Sequence, residues 1–600
     1  MGSGQASPRA PDHATSLHMH RAESGIKVGS RRVNFFERLR RLLPPGHGSV
    51  PARREQAPEL TVGDRLHPAD GARHLDLCQN AIQCFERGEL DAAIRMLQEA
   101  IVLKHDFAEA HFVLAQIYQR RRQLDDAADC YVLAAHFRAD LQEAYLRLGL
   151  LALAQNRFEE AQFHLEKAIA LKAEDAEAHN GMGVALLNRG SAENALDHFR
   201  RALALRPDFA RAHSNLGHVL FRDFEQFEEG AEHIKTALQL APGDPDVQSN
   251  WTMVLEHRGH YSEALALCNR LIERDPELNE ARLNRALILL KMGEFRSAWP
   301  DYEARMKVRG SHMPMHLPWP QWDGSSLAGK TFHVHGEQGI GDELMFASCF
   351  SDVITEARAC IIECSPKLEK LFRRSFPGAS VISKGTSGGP VLPGEELAVD
   401  YHAAAGSLPL FLRNRTADFP RHTGYLRGDA QRIAYWRGRL DGLPGRLKVG
   451  ISWRGGAKST RQSLRSIPLH LWLPILDVAG ADFINLQYTD CEDEIAVLRR
   501  ERAVDLHHWR EAIEDYDETA ALVSALDLVI SVQTAIVHLA GALGKPGWVM
   551  VSAAPEWRYQ LSGETLSWYP SLRLFRQGTL GRWQDVIDRV AAELRVIAKT

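Results

Sequence analysis

The strongest constraint on this 600-residue chain is a period. Ala110, Ala144, Ala178, Ala212, Val247 and Ala281 open matching segments spaced 34, 34, 34, 35 and 34 residues apart. Units of that length are single supersecondary motifs that cannot bury their apolar faces alone, so they must stack on one another. One copy shows the packing logic clearly in Met182-Gly183, Ala195, Phe199, Ala202 and Pro207. Small residues let two antiparallel helices approach where they cross, and the aromatic ring fills the space that is left. The pattern recurs through Ala93 and Ala100, Ala127 and Ala134, Ala161 and Ala168, Ala264 and Pro276, and finally Ala298, which makes about seven copies over residues 76–309.

On these residues the segment resembles the tetratricopeptide repeat (TPR) family, and an α-solenoid is expected. Such an array supplies a binding groove and no chemistry. Asn215, Asn250 and Asn284 occupy one site on the first helix of three consecutive repeats, while Arg147 and Gly181 stand there earlier. An amide offers a donor and an acceptor to any peptide group. The alternative is that these amides cap helices or bond within the repeats. A similar asparagine ladder grips the backbone of an extended substrate in the protein O-GlcNAc transferases, so the resemblance implies acceptor binding at all three.

Composition narrows the remaining classes. Hydrophobic residues make up 45% and charged residues 25%, which is ordinary globular usage. The net charge of −5 gives no electrostatic case for nucleic acid. Eight cysteines without CxxC spacing read as reduced, buried thiols, and no zinc-type ligand set or other metal site is expected. No apolar run reaches spanning length and no signal-peptide core is present, so a cytoplasmic protein is expected. Residues 1–70 carry ten Lys or Arg against three acids up to Arg54 and read as a basic disordered arm. Within it the segment 33–43 has an amphipathic pattern that allows weak membrane-surface contact.

Past Trp319 the pattern changes to short β runs alternating with helices. The expected strands are 331–335, 359–363, 448–452, 482–487, 526–532, 548–551 and 572–575. This alternation predicts parallel sheets with crossover helices. A Gly/Pro/Arg-rich stretch at 437–446 splits the region into lobes at 319–436 and 446–600, the second ending in a helix. Two Rossmann-like lobes with a ligand cleft between them follow.

Three stretches offer chemistry. HVHGEQGIGDELMF (333–346) places Gly339 and Gly341 at a turn where backbone amides can meet an anionic or sugar group, with Asp342 at the mouth as a general base or a helix cap. KVGISWRGGAKSTRQSLRSIP (448–468) sets Arg454, Lys458, Arg461 and Arg465 after a strand, where cations can hold a pyrophosphate. DLVISVQTAIVHLAGALGKP (527–546) puts Gln533 and Thr534 at a helix N-terminus and His538 on the helix, as ligand contact or packed core histidine.

With the tryptophan-rich stretch 555–577, these segments resemble bacterial TPR proteins whose C-terminal region is a GT-B glycosyltransferase related to the heptosyltransferases. The resemblance covers about residues 319–580. It implies a metal-independent enzyme with no cofactor that moves sugar from a nucleotide-activated donor to a Ser or Thr hydroxyl of a protein in the TPR groove; flagellin is one acceptor of such relatives. By the resemblance Asp342 is the base, while Lys458, Thr534 and His538 bind donor and Gln487 lies near the nucleotide. Many relatives carry Asp where this chain has Gln533, whose amide can still bond a ribose or sugar. Two other readings stand beside this one: a non-catalytic TPR scaffold with a degenerate GT-B domain, and a transferase acting on lipopolysaccharide.

Overall fold

The computed structural model describes residues 70–308, 317–337, 339–384, 398–456, 461–502 and 504–599. The expected basic arm, apart from its last residue, and Lys458 lie outside the described residues. The eight cysteines are all buried and free. No helix among the described residues is long and apolar enough to cross a membrane.

The periodic segment is a solenoid of seven antiparallel helix pairs among the described residues. They are α1 (Asp70–Glu86) with α2 (Leu90–Leu103), α3 (Ala108–Arg120) with α4 (Leu124–Phe137), α5 (Gln142–Ala154) with α6 (Phe158–Leu171), and α7 (Ala176–Asn188) with α8 (Ala192–Leu205). Then follow α9 (Ala210–Arg222) with α10 (Phe227–Leu240), α11 (Pro245–His257) with α12 (Tyr261–Arg274), and α13 (Asn279–Met292) with α14 (Phe295–Tyr302). The recurring small residues are fully buried: Ala195, Ala202 and Ala212 show no exposure, nor does the Phe199 ring beside them. In the fifth pair the approach is closest, because a Cβ on Gly217 would stand 2.6 Å from the Gly230 carbonyl oxygen. Asp175 and Asp244 cap α7 and α11 by accepting from backbone N–H groups two and three residues on.

The remainder is α/β. A four-stranded parallel sheet has the order β3-β2-β1-β4, from β1 (Thr331–His335), β2 (Ala359–Cys364), β3 (Ala379–Ser383) and β4 (Tyr401–Ala404). A seven-stranded sheet has the order β10-β11-β9-β8-β5-β6-β7, from β5 (Leu447–Ser452), β6 (Ala481–Asn485), β7 (Leu506–His507), β8 (Leu528–Val532), β9 (Gly547–Val551), β10 (Thr565–Leu566) and β11 (Tyr569–Arg576). Only the β10–β11 pair is antiparallel. The central strands β1 and β8 are buried at every position, as parallel strands covered on both faces must be. Helices α15 (Ile340–Phe346), α16 (Ala430–Asp441), α17 (Tyr516–Ala525), α18 (Ala535–Ala542) and α19 (Gln584–Lys599) are those that bear on the site.

Helix α16 straddles the expected lobe boundary and packs on α17, where Glu518 accepts from both Arg432 Nε at 2.7 Å and the Trp436 indole at 2.9 Å. Helix α19 covers the second sheet: Val586, Ile587 and Val590 join the core with Val449 and Phe483.

The solenoid and both sheets share one apolar core. Phe295, Trp299 and Tyr302 of the last repeat belong to the same buried cluster as Phe346 and Phe350 of the first lobe and Trp557, Trp568 and Tyr569 of the second. The Trp299 indole donates to the Arg413 carbonyl at 2.7 Å.

Burial holds several solenoid histidines neutral: His164, His218 and His257 are each pushed down to about 4, with nearby arginines adding to the effect. Their unfolded value is 6.5, so protons bind the unfolded chain more readily, and this stability is complete above that pH and lost as the pH falls toward about 4. Equilibrium denaturation followed by circular dichroism should show stability flat above neutrality and falling between those values, by up to about 3 kcal/mol per histidine. A flat profile through that window would show that the three rings are solvated in the folded protein.

Candidate functional site

All three chemistry-bearing stretches leave the carboxyl ends of parallel strands, where ligands of open α/β sheets bind. The 333–346 stretch follows β1, the 448–468 stretch follows β5, and Gln533-Thr534 follows β8. They meet in a cavity of about 390 Å³ lined by Gly339, Gly341, Asp342, Gln533, Thr534 and His538 from the expected set. Arg465, Glu556, Arg558, Tyr559 and Tyr516 line it as well.

The first loop reaches the second lobe because α15 packs on α18. Gly341 permits this, since a Cβ there would stand 3.2 Å from the His538 ring. Asp342 does not cap α15; it lies inside the first turn and pairs with Arg558. Glu337, in the same loop, is a clamp that sequence reading passed over. Its carboxylate receives Arg305 Nη2 at 2.6 Å and Nε at 2.9 Å, together with the Gly406 N–H at 2.6 Å. Arg305 follows directly on the last repeat, so the glycine-rich loop is fastened to the solenoid.

Thr534 is the N-cap of α18, accepting from Ile536 N–H at 3.2 Å. His538 is a packed histidine facing the cavity: its Nδ1 meets the Tyr569 hydroxyl at 3.1 Å, and burial, aided by Arg558 and Arg465, pushes it down to about 3. It is therefore neutral and serves as a hydrogen-bonding group, not a charged acid. The Gln533 side chain accepts from Ser552 N–H at 3.1 Å through Oε1, while its Nε2 makes no hydrogen bond among the described residues.

Arg454 and Gln487 are not among the residues lining the cavity. Arg454 turns to Glu494 at 3.1 Å. Gln487 is buried and braces the loop, its Oε1 accepting from the N–H groups of Trp453 and Arg454 at 3.2 and 3.0 Å. Among the described residues of this stretch the cation that reaches the cavity is Arg465, 7% exposed and 2.7 Å from Glu556. Arg558 comes from the tryptophan-rich stretch, which sequence reading had matched without assigning roles. Arg465 stands among the cations that the sequence offers for a pyrophosphate, and Arg558 only as an arginine in a motif-bearing segment; their pairing with carboxylates spans 91 and 216 residues of sequence.

A second cavity, of about 400 Å³, lies between α9, α11 and α13 of the solenoid and the second lobe. Glu556 and Arg558 line both cavities. Asn284 lines the second, and Asn215 and Asn250 do not. The three amides stitch repeats together: Asn215 donates to Asn180 Oδ1 at 2.9 Å, Asn250 to Ser214 Oγ at 2.9 Å, and Asn284 to Thr252 Oγ1 at 2.8 Å. The rim is tied to the solenoid by a triad, in which the buried Glu256 pairs with the buried Lys291 and with the half-buried Arg461 Nη2 at 2.7 Å. Glu225 accepts from the Ser463 N–H at 2.9 Å. Burial alone would raise the Glu256 carboxyl, yet Arg461 and Lys291 outweigh it and hold it at about 2.

Comparison with known proteins agrees with the solenoid. Family models described as tetratricopeptide repeat match residues 146–208 and 193–245, and one described as TPR repeat matches 83–121. The chain carries tetratricopeptide repeats, a surface of the kind that binds proteins. It is 34% identical over 382 residues to protein FlbA of Caulobacter vibrioides, covering 60% of this chain and 63% of FlbA. The chain thus spans less than two thirds of the length of that curated relative. The matched share of this chain exceeds its solenoid, so the likeness extends into the α/β part. Among solved structures, the Pseudomonas aeruginosa PilF structure is 17% identical with a TM-score of 0.32, covering 36% of this chain and 99% of its own. MamA of Desulfovibrio magneticus RS-1 is 20% identical with a TM-score of 0.27, covering 29% and 97%.

The Glu256 triad should be measurable in isolation. Glu256→Gln leaves Lys291 and Arg461 buried without their counter-charge, at an expected cost of ~3–5 kcal/mol in equilibrium denaturation. Limited proteolysis should also cut faster near residues 461–466. A loss below ~1 kcal/mol with unchanged proteolysis would show that the triad does not hold this segment.

Proposed function

We propose that this chain is a metal-independent GT-B glycosyltransferase that moves a sugar from a nucleotide-activated donor to a Ser or Thr hydroxyl of a protein acceptor. The observation that carries the reading is that two cavities share one wall. The cavity between the sheets has arginines and the N-terminus of α18, which suit a sugar nucleotide. The groove against the solenoid suits a polypeptide, and Glu556 and Arg558 border both, so the two substrates would meet beside Asp342.

In this reaction the acceptor hydroxyl gives its proton to Asp342 while its oxygen bonds to the anomeric carbon. The bond from that carbon to the phosphate oxygen breaks, and its electron pair leaves on the nucleotide. Arg465 and Arg558, with the dipole of α18, would take the growing negative charge that a divalent ion carries in other sugar transferases. Asn284 is the one rung of the asparagine series that borders the acceptor groove; Asn215 and Asn250 would act by holding the repeats in register. Flagellin is one acceptor of the relatives that the family resemblance points to.

The engagement of Asp342 by Arg558 also favours a second reading, a binding scaffold without turnover. Sugar-nucleotide hydrolysis by the purified chain separates the two. In the enzyme reading Asp342→Asn should lower turnover ~10²–10⁴-fold while the folded variant still binds donor, which is the usual worth of a placed general base. Wild-type turnover in that variant would remove Asp342 as the base, and no turnover by the wild type with any sugar nucleotide would favour the scaffold.

A further inference from the structure

We infer that Arg558 is an exchangeable counter-ion: a phosphate group entering the cavity draws it off Asp342, so the donor itself frees the base. This rests on the donor reading above and adds to it roles for Arg558, Arg465 and Glu556.

The four side chains form an alternating row. Asp342 pairs with Arg558 Nη2, Arg558 Nη1 stands 3.1 Å from Glu556 Oε2, and Glu556 Oε1 stands 2.7 Å from Arg465 Nη1. All four line the same cavity. A guanidinium fork matches phosphate as well as it matches carboxylate, so a phosphate offers both arginines the partner that the two carboxylates now provide. Burial opposes the charge on Arg558, but Asp342 and Glu556 beside it keep it protonated, so it is always a cation for an arriving anion.

Other polar atoms show that the cavity is supplied with donors for an acceptor-rich ligand. Gln533 Nε2 and the Tyr559 hydroxyl belong to residues 1% exposed that line this cavity, and neither makes a hydrogen bond among the described residues. Buried polar groups are normally satisfied, so a pair left open on one cavity wall marks a ligand position. Lys367 at the rim adds a further cation.

The exchange bears on how Asp342 can be both ion-paired and a base. Its Oδ1 accepts from Arg558, so an acceptor hydroxyl must share the carboxylate with the guanidinium. Once phosphate holds the guanidinium, both carboxylate oxygens are left for the hydroxyl.

Calorimetric titration with inorganic pyrophosphate tests this on the full chain, with circular dichroism to establish that each variant is folded. Glu556→Gln and Asp342→Asn each remove a competitor for the arginines and should tighten pyrophosphate about tenfold, while Arg558→Gln should weaken it by at least as much. If the folded carboxylate variants bind pyrophosphate no better than wild type while Arg558→Gln weakens it, the carboxylates merely position the arginine and the exchange is overturned. If Arg558→Gln binds as the wild type does, the role of Arg558 is overturned. Absence of pyrophosphate binding in the wild type would overturn the phosphate site, and with it the donor reading; the two failures are thereby distinct. Should one carboxylate variant not fold, the other decides the question.

Discussion

The arrangement of this molecule turns on the burial of one side chain, Trp557. Its ring lies 6.0 Å from Trp299 and 5.7 Å from Tyr302 of the last repeat, 6.4 Å from Phe346 of the first lobe and 6.5 Å from Trp568 of the second. Aromatic pairs of this kind contribute about 0.5–1.5 kcal/mol each beyond the area they bury. Their larger effect is positional. Glu556 and Arg558 flank Trp557 in sequence and are the two residues common to both cavities. Fixing the indole in the seam therefore fixes the acid and the arginine on which both cavities depend.

Around this apolar pin the seam is lined with buried and half-buried charges: Arg305 with Glu337, Glu256 with Lys291 and Arg461, and the row from Asp342 to Arg465. Desolvation offsets much of the attraction in such pairs, so they add little to net stability. What they add is selection, because any shift of the solenoid against the lobes would strand a charge in a dry interface. Hydrophobic contact supplies the driving force here and the ion pairs supply the register.

How much of this was legible in the sequence depended on the range of each interaction. The helix pairs follow from a period because each repeat is held by neighbours one unit away, and all seven expected strands appear within three residues at either end because their apolar runs are local. Strands β3, β4, β7 and β10 escaped notice: β3 is only partly buried and the other three have two to four residues, so none carries a long apolar run. Asp342, Thr534 and His538 were found because motifs at strand ends announce them. Glu337 and Arg558 were not, because each is defined by a partner on another element. Arg454 shows the converse error, since a cation following a strand can turn toward a local acid such as Glu494. The asparagine series is visible as one recurring site in three repeats, but position alone could not show that its amides reach back to the preceding repeat.

The shared core also has a consequence for biosynthesis. The solenoid is made first and can stack as it emerges, yet the face of α14 that bears Phe295, Trp299 and Tyr302 is completed only by residues such as Trp557 and Trp568. Trp299 and Trp557 are separated by 258 positions of chain. At the pace of a ribosome, roughly 5–20 residues per second, that aromatic face waits on the order of ten seconds or more for its cover. The nascent protein thus passes through a stage in which its finished half displays an adhesive end, and its yield in a cell will depend on what shields that end during the interval.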